Sequence, residues 1–279
     1  MTDIDQQLAQ IANYTRYSID CSRQILIQEH IERIYAQYAD PRNLLRFGYQ
    51  VYSQNYEDGI IEEIFSRIGT TDKSFVEIGA GDGIENNTHF LLIQGWHGHW
   101  IDAGSGLMEQ ANQKHALSIN SGMLTTSADL VTNQNVEAVF VMSKVPKEPD
   151  LLVIDVDGND YYIWQAIDMY QPRVVVVEYN TSLGPHASLV MRPNLQHVWG
   201  GRNNYGASLR AIENLGEAKG YRLVCCDVTG TNAFFVRKDL GHDDFGDQFD
   251  DSVDHYQPVR YYLVARYGHK KDVGEWLSV

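Results

Sequence analysis

Ser74-Phe75-Val76-Glu77-Ile78-Gly79-Ala80-Gly81-Asp82-Gly83 is an apolar run that stops on an acid and then places glycine at every second position. A buried strand that ends beside a carboxylate and turns through bare backbone brings main chain close to a ligand. Nucleotide sites need that geometry. Outward from this turn, strand and helix signals alternate. Apolar strand candidates are Phe75–Ile78, His99–Asp102, Leu151–Asp155 and Arg173–Tyr179. Helical stretches fall near Thr88–Gln94, Ser105–His115, Asn133–Lys144 and Tyr161–Tyr170. Continuous apolar strands with helical crossovers predict an α/β fold, a doubly wound parallel sheet covered on both faces. After a long loop, Ala207–Lys219 reads as helix. Tyr221–Cys225 and Ala233–Arg237 read as strands joined by Thr229-Gly230-Thr231-Asn232, an antiparallel closing pair.

Before the turn, Ile60, Ile61, Ile64, Phe65 and Ile68 suit a buried helical face, with Ser53 as N-cap and Glu57 in the first turn. Earlier still, Ile27, Ile31, Ile34, Tyr35 and Tyr38 recur at helical spacing until Asp40-Pro41. The chain thus divides into a helical arm (1–50), a central domain (51–240) and an acidic segment with a C-terminal extension (241–279). The arm either packs on its own domain, caps the site or pairs subunits. Asp243, Asp244, Asp247, Asp250, Asp251 and Asp254 lack the spacing of a calcium loop and read as a solvated surface.

A net charge of -15 argues against nucleic acid and against anionic membrane surfaces, since phosphate binding needs clustered Lys and Arg. The start of the chain lacks the pattern of a secretion signal, and no apolar run is long enough to cross a bilayer. Cys225 and Cys226 are adjacent and Cys21 is distant, which is neither a disulfide framework nor a zinc spacing; a reducing, cytoplasmic setting is expected.

Two nucleotide readings compete for the glycine turn. A dinucleotide fingerprint would place its third glycine where Ile84 stands, and Glu77 would repel a pyrophosphate. A ligand with a positive centre and no phosphate fits better. S-adenosylmethionine carries an ammonium, a sulfonium and no phosphate. Glu77, Gly79 and Gly81 would hold it, and Asp102, ending the next strand, can accept bonds from ribose hydroxyls. Ser127 and Asp129 fall where a later loop would meet the adenine, although Asp after Ser is also ordinary turn chemistry.

The segment Phe75–Gly83 resembles the first motif of S-adenosylmethionine-dependent methyltransferases. Ser53-Gln54 with Glu57-Asp58-Gly59, Asn87-Thr88, Gly95-Trp96, Tyr205-Gly206-Ala207-Ser208 and Asn232-Ala233-Phe234-Phe235 are similar to the FkbM-type branch. The resemblance runs from about Ser53 to Arg237. It implies a Rossmann-like, class I methyltransferase sheet of seven strands with one antiparallel strand, and methyl transfer. It also implies that Gln54, Asp58, Asn87 and Thr88 belong to the cofactor site.

The expected reaction centre is Leu151-Leu152-Val153-Ile154-Asp155-Val156-Asp157. Asp155 and Asp157 point the same way if the strand stays extended. The next strand ends in Glu178-Tyr179-Asn180, and in a parallel sheet both ends open at one edge. Asp155, Asp157, Glu178 and Asn180 could converge there as oxygen ligands for a hard cation such as magnesium. In this reading Asp155, Glu178 and Asn180 hold the metal. Metal-dependent small-molecule O-methyltransferases, to which the sequence is similar here, place acids at these two strand ends. A competing structural role is that Asp157 or Asn159 caps the helix at Tyr161. A cation lowers the pKa of an acceptor hydroxyl, and a base removes its proton. Asp155, Asp157 and His186 are the catalytic candidates; His197, with Tyr205 nearby, is another base candidate, and an ordinary surface histidine is the alternative for each. Trp199, in the loop with Gly200-Gly201, is the best placed tryptophan for a substrate contact. The expected activity is O-methylation of a hydroxyl on a sugar or natural product, by a chain that forms homo-oligomers. N-methylation, a nicotinamide-dependent oxidoreductase and an inactive partner subunit are the alternatives.

Overall fold

The computed structural model describes residues 3–35, 40–241, 245, 251–260 and 274–279. One seven-stranded sheet organises them. Its strands are β1 (Ser74–Ile78), β2 (His97–Asp102), β3 (Leu124–Ala128), β4 (Leu151–Ile154), β5 (Val174–Glu178), β7 (Tyr221–Cys226) and β8 (Asn232–Arg237), in the order β3-β2-β1-β4-β5-β8-β7. Only β8 runs antiparallel to the rest, pairing with both β5 and β7. This is the strand order of class I methyltransferases. The sheet reverses its direction of growth between β1 and β4, and in an open α/β sheet ligands bind beyond the strand ends at that point.

The strands are apolar because both faces are covered. Phe75, Leu151, Val153, Val174, Val176 and Phe234 face one core, against Ile60, Ile61 and Ile64 of α2 (Glu57–Ile68). Val76, Leu152, Ile154, Val175, Val177 and Phe235 face the other. There they meet Phe140 of α6 (Val136–Met142), Trp164 of α7 (Asp160–Gln165) and Ile212 of α8 (Leu209–Ala218). Burying each such side chain contributes about 1.5–3 kcal/mol.

Three differences from the sequence reading have simple causes. Leu124-Thr125-Thr126-Ser127-Ala128 is a strand, not a loop; it pairs only with β2, and an edge position tolerates its polar side chains. Helix α7 ends at Gln165 rather than Tyr170. A second sheet joins β6 (Leu189–Met191) to β9 (Trp276–Ser278), two pieces too short to signal themselves.

Helix α1 (Asp3–Tyr35) is 33 residues long, about 50 Å at 1.5 Å per residue. Ile27 is buried against the domain, whereas Ile4, Leu8, Ile11, Tyr14 and Tyr17 stand in solvent. Tyr38 and the acidic positions Asp243, Asp244, Asp247 and Asp250 lie outside the described residues. Among those described, no helix is long and apolar enough to cross a membrane.

Candidate active site

The glycine turn is built on three positive φ angles, 89° at Gly79, 58° at Gly81 and 75° at Gly83. A side chain at Gly79 would fail twice. Its Cβ would lie 1.6 Å from the Asp155 carbonyl oxygen, so glycine is what lets the ends of β1 and β4 meet. Gly81 donates its N–H to Asp102 Oδ2 (3.0 Å), and Asp102 Oδ1 accepts from the Gly104 N–H (2.7 Å). Asp102 therefore ties the turn to the end of β2, and it does not line the crevice.

Glu77 is buried under the turn. Its two oxygens accept from Asn86 Nδ2 (2.7 Å), the Asn87 N–H (2.8 Å), the Thr88 N–H (3.1 Å) and Thr88 Oγ1 (2.6 Å). The Trp100 indole in turn donates to Thr88 Oγ1 (2.7 Å). The carboxylate thus shapes the 86–88 wall. Burial pushes its pKa up, against the pull of these donors. Asp58 plays a similar part before α2, taking the N–H groups of Val51, Tyr52 and Ser53, while the Asp58 N–H donates to Ser53 Oγ. Ser53 thereby satisfies a helix N–H although Tyr56, in a left-handed conformation, is the residue at the cap. Asp58 and Thr88 consequently support the site from behind, and Gln54 and Asn87 line it.

The crevice, of about 350 Å³, opens at the C-terminal edge of β1, β4 and β5. Glu57, Glu77 and Glu178 in its wall are buried, Asp155 and Asp82 are partly open, and Asp157 and Glu85 are exposed. No Lys, Arg or His lines it among the described residues. Asn86, Asn87 and Asn232 add amide oxygens that lack a partner within the protein. Burial and the neighbouring Asp227 raise the Glu57 carboxyl to about 7. Burial, with Asp157, Asp160, Glu77 and Glu57 around it, raises Asp155 well above the usual carboxylate range. Asp82 pairs with Lys114 (2.6 Å) and Glu85 with Arg16 (3.4 Å); the buried acids of the wall are costly unless a cation enters or protons stay bound.

Asp155, Asp157 and Glu178 bring one oxygen each within 4.8 Å of one another. Asp157 holds a left-handed φ of 56°, uncommon outside glycine, which aims it away from an extended strand path. Asn180 is not part of this cluster. Its amide donates to the Asn203 and Tyr205 carbonyls (2.8 and 2.9 Å), and its oxygen accepts from the Ser182 N–H and hydroxyl (3.1 and 2.5 Å). Of the expected ligands Asp155, Glu178 and Asn180, the first two thus lie together with Asp157, while the Asn180 amide bonds within its own loop. Asn159, at the N-cap of α7, makes no capping bond through its side chain. Asp160, the first residue of the helix, instead takes the Val156 and Gly158 N–H groups (2.7 and 2.8 Å).

His186 is exposed and away from the crevice lining. His197 packs its ring against Gly158, beside Asp157, with Nε2 buried, and it does not line the crevice either. Trp199 and Tyr205 line the crevice with ring centroids 6.2 Å apart. Ser127 and Asp129 do not line it; the Ser127 hydroxyl lies 3.2 Å from His99 Nε2. The sequence reading missed Glu57 and the 229–232 turn as parts of the site. Asp227 explains the turn: its carboxylate gathers the N–H groups of Thr229, Gly230, Thr231 and Asn232.

No family model matches the chain, and no curated protein matches it. Solved structures do. The methyltransferase domain of bacterial CtHen1-C is 14% identical, covers 66% of this chain and 97% of its own, and has a TM-score of 0.42. An S-adenosylmethionine-dependent methyltransferase from Clostridium acetobutylicum is 12% identical over 75% and 98% of the two chains, with a TM-score of 0.41. The StiE O-MT segment is 11% identical over 60% of this chain, with a TM-score of 0.35, and the match spans about half (53%) of its length. These likenesses concern the fold; the reading of function rests on the crevice.

Proposed function

We propose that the chain is an S-adenosylmethionine-dependent methyltransferase of the FkbM-type branch that methylates a hydroxyl of a sugar or natural-product small molecule with the help of magnesium. The observation that carries this reading is the crevice itself: seven carboxylates and, among the described residues, no basic side chain in its lining, with only Asp82 and Glu85 paired from outside it, by Lys114 and Arg16, at the switch point of a seven-stranded sheet. An ammonium and a sulfonium are attracted there, whereas a pyrophosphate is repelled. The partnerless oxygens of Asn86, Asn87 and Asn232 suit a ligand rich in donors.

Asp155, Asp157 and Glu178 would hold the cation, whose chemistry when bound is to acidify an acceptor hydroxyl. Trp199 and Tyr205 would hold the acceptor, and alignment with the methyl carbon supplies much of the rate. Asp157, a carboxylate in the crevice wall, would take the hydroxyl proton as the oxygen–carbon bond forms and the carbon–sulfur bond breaks. N-methylation is the second reading, since an acid-lined crevice also attracts an amine; insensitivity to EDTA would favour it. We further propose that a second copy of the chain covers α1, because Ile4, Leu8 and Ile11 form an exposed apolar stripe, and helices in proteins are stabilised chiefly by packing such a face.

Calorimetric titration tests the core of the proposal. S-adenosylhomocysteine should bind the purified chain and NAD should not. Binding of NAD with no response to S-adenosylhomocysteine would overturn it.

A further inference from the structure

The stretch similar to methyltransferases stops near Arg237, yet a later segment returns to the crevice. A short helix, Ser252–His255, packs on α8 and β7. Asp251 fixes its start by accepting the Val253 N–H (2.9 Å) and pairing with Arg210 of α8. Ser252, His255, Gln257 and Arg260 are all buried, so the segment is seated on the domain.

Beyond this helix, three residues grip two loops of the crevice wall. The Gln257 carbonyl accepts from the Thr181 hydroxyl (2.7 Å) and from the Tyr179 hydroxyl (3.4 Å). The Tyr256 hydroxyl donates to the Thr181 carbonyl (2.8 Å). Arg260 Nη1 donates to the Val228 carbonyl (2.7 Å) and to Gln257 Oε1 (2.9 Å). Gly230 packs so closely that a Cβ there would lie 2.6 Å from the Gln257 carbonyl oxygen. Thr181 and Gly230 both line the crevice, whereas Tyr256, Gln257 and Arg260 do not. One backbone carbonyl thus sits between the loop that follows β5 and the turn that joins β7 to β8. Asp227 gives that turn its internal shape, and residues 256–260 press on it from outside.

Loops at strand ends have few partners of their own and open at low free-energy cost. A wall made of such loops binds a ligand well only if it is held in place beforehand, because ordering it on binding costs affinity. We propose that residues 256–260 are a brace that preorganises the far wall of the crevice, with Tyr256 and Arg260 as positioning residues for its ligand. Each acts through the carbonyl it grips, Thr181 for Tyr256 and Val228 for Arg260. This role rests on the methyltransferase reading for its probe ligand alone, and the test keeps the two apart.

Calorimetry with S-adenosylhomocysteine and amide hydrogen exchange, both on the full chain, test it. Tyr256→Phe and Arg260→Met should each weaken binding about fivefold, the worth of one hydrogen bond. Amides of residues 181–184 and 228–232 should exchange faster in both variants, those of β1 and β4 should not, and bound ligand should restore the protection. Arg260→Lys, which keeps a donor for the Val228 carbonyl, should bind more nearly as the parent chain does. Tyr256→Phe removes a single oxygen and reports even if Arg260→Met fails to fold. Unchanged affinity in Tyr256→Phe, whatever happens to its melt, overturns the proposal and leaves the segment a stabiliser only. Faster exchange spread evenly over the sheet overturns it as well. If the parent chain does not bind S-adenosylhomocysteine, the methyltransferase reading falls, and the exchange pattern alone decides for or against the brace.

Discussion

Glu57, in the first turn of α2, accepts a 2.9 Å hydrogen bond from Asn232 Nδ2 at the start of β8, joining residues 175 positions apart in one wall of the crevice. Its carboxyl titrates at about 7 in the folded chain and near 4.5 when unfolded. The folded chain therefore holds this proton more tightly. The stability it contributes is full below about 4.5 and is lost as pH rises through about 7. The Tm of the ligand-free chain should fall by several degrees between pH 6 and 8, and Glu57→Gln should flatten that slope. Thermal melts across this range check it; an unchanged slope in the variant refutes the assignment.

Asp155 is also pushed up, by burial and by the acids around it. A cation at the Asp155, Asp157 and Glu178 cluster must displace that proton. The Tm increase caused by magnesium, after EDTA treatment, should be larger at pH 8 than at pH 6. Asp155→Asn or Glu178→Gln should abolish the increase. A magnesium shift that survives both substitutions places the cation elsewhere.

Gly79→Ala should be among the most damaging single substitutions. The new methyl meets the Asp155 carbonyl at 1.6 Å, and the φ of 89° disfavours any side chain. A loss of about 3 kcal/mol is expected from clash and strain together, seen as a lower denaturation midpoint and weaker S-adenosylhomocysteine binding. Gly106→Ala, where a methyl meets nothing within 4 Å, is the matched control.

Trp199 lines the crevice, whereas Trp100 and Trp164 are buried in the two cores. Ligand entry should change tryptophan fluorescence mainly through Trp199. Trp199→Phe should remove most of the change on titration with S-adenosylhomocysteine while calorimetry still detects binding.

The helix α1 stripe makes a further expectation. Ile4→Lys with Leu8→Lys and Ile11→Lys should convert a dimer into a monomer by light scattering, without altering the melt of the central domain. A parent chain that is already monomeric refutes the assembly.

The sheet was legible because its central strands carry continuous apolar runs, such as Leu151–Ile154 and Val174–Val177, that only a doubly covered sheet accommodates. The edge strand Leu124–Ala128 escaped because pairing on one side relaxes that demand, whereas the other edge, Tyr221–Cys226, stayed legible from its apolar side chains. The acids at the ends of β4 and β5 were legible from alternation. The loop bonds of Asn180 were not legible, because an amide with two donors and two acceptors suits its neighbours as readily as a metal. At Asp102 the sequence shows a strand-end acid, and only the fold shows that it also accepts the Gly81 N–H. Glu57 could not be found by spacing, since its partner Asn232 is brought to it by the whole sheet.

That long-range pairing sets an order of events during synthesis. Residues 54–57 leave the ribosome early and residues 229–232 much later, yet both bound the same crevice. A nascent chain that has grown only through β5 can form the glycine turn but has no far wall. A ligand of this crevice should therefore be retained only once the β7–β8 hairpin clears the exit tunnel and Asp227 folds its turn into place.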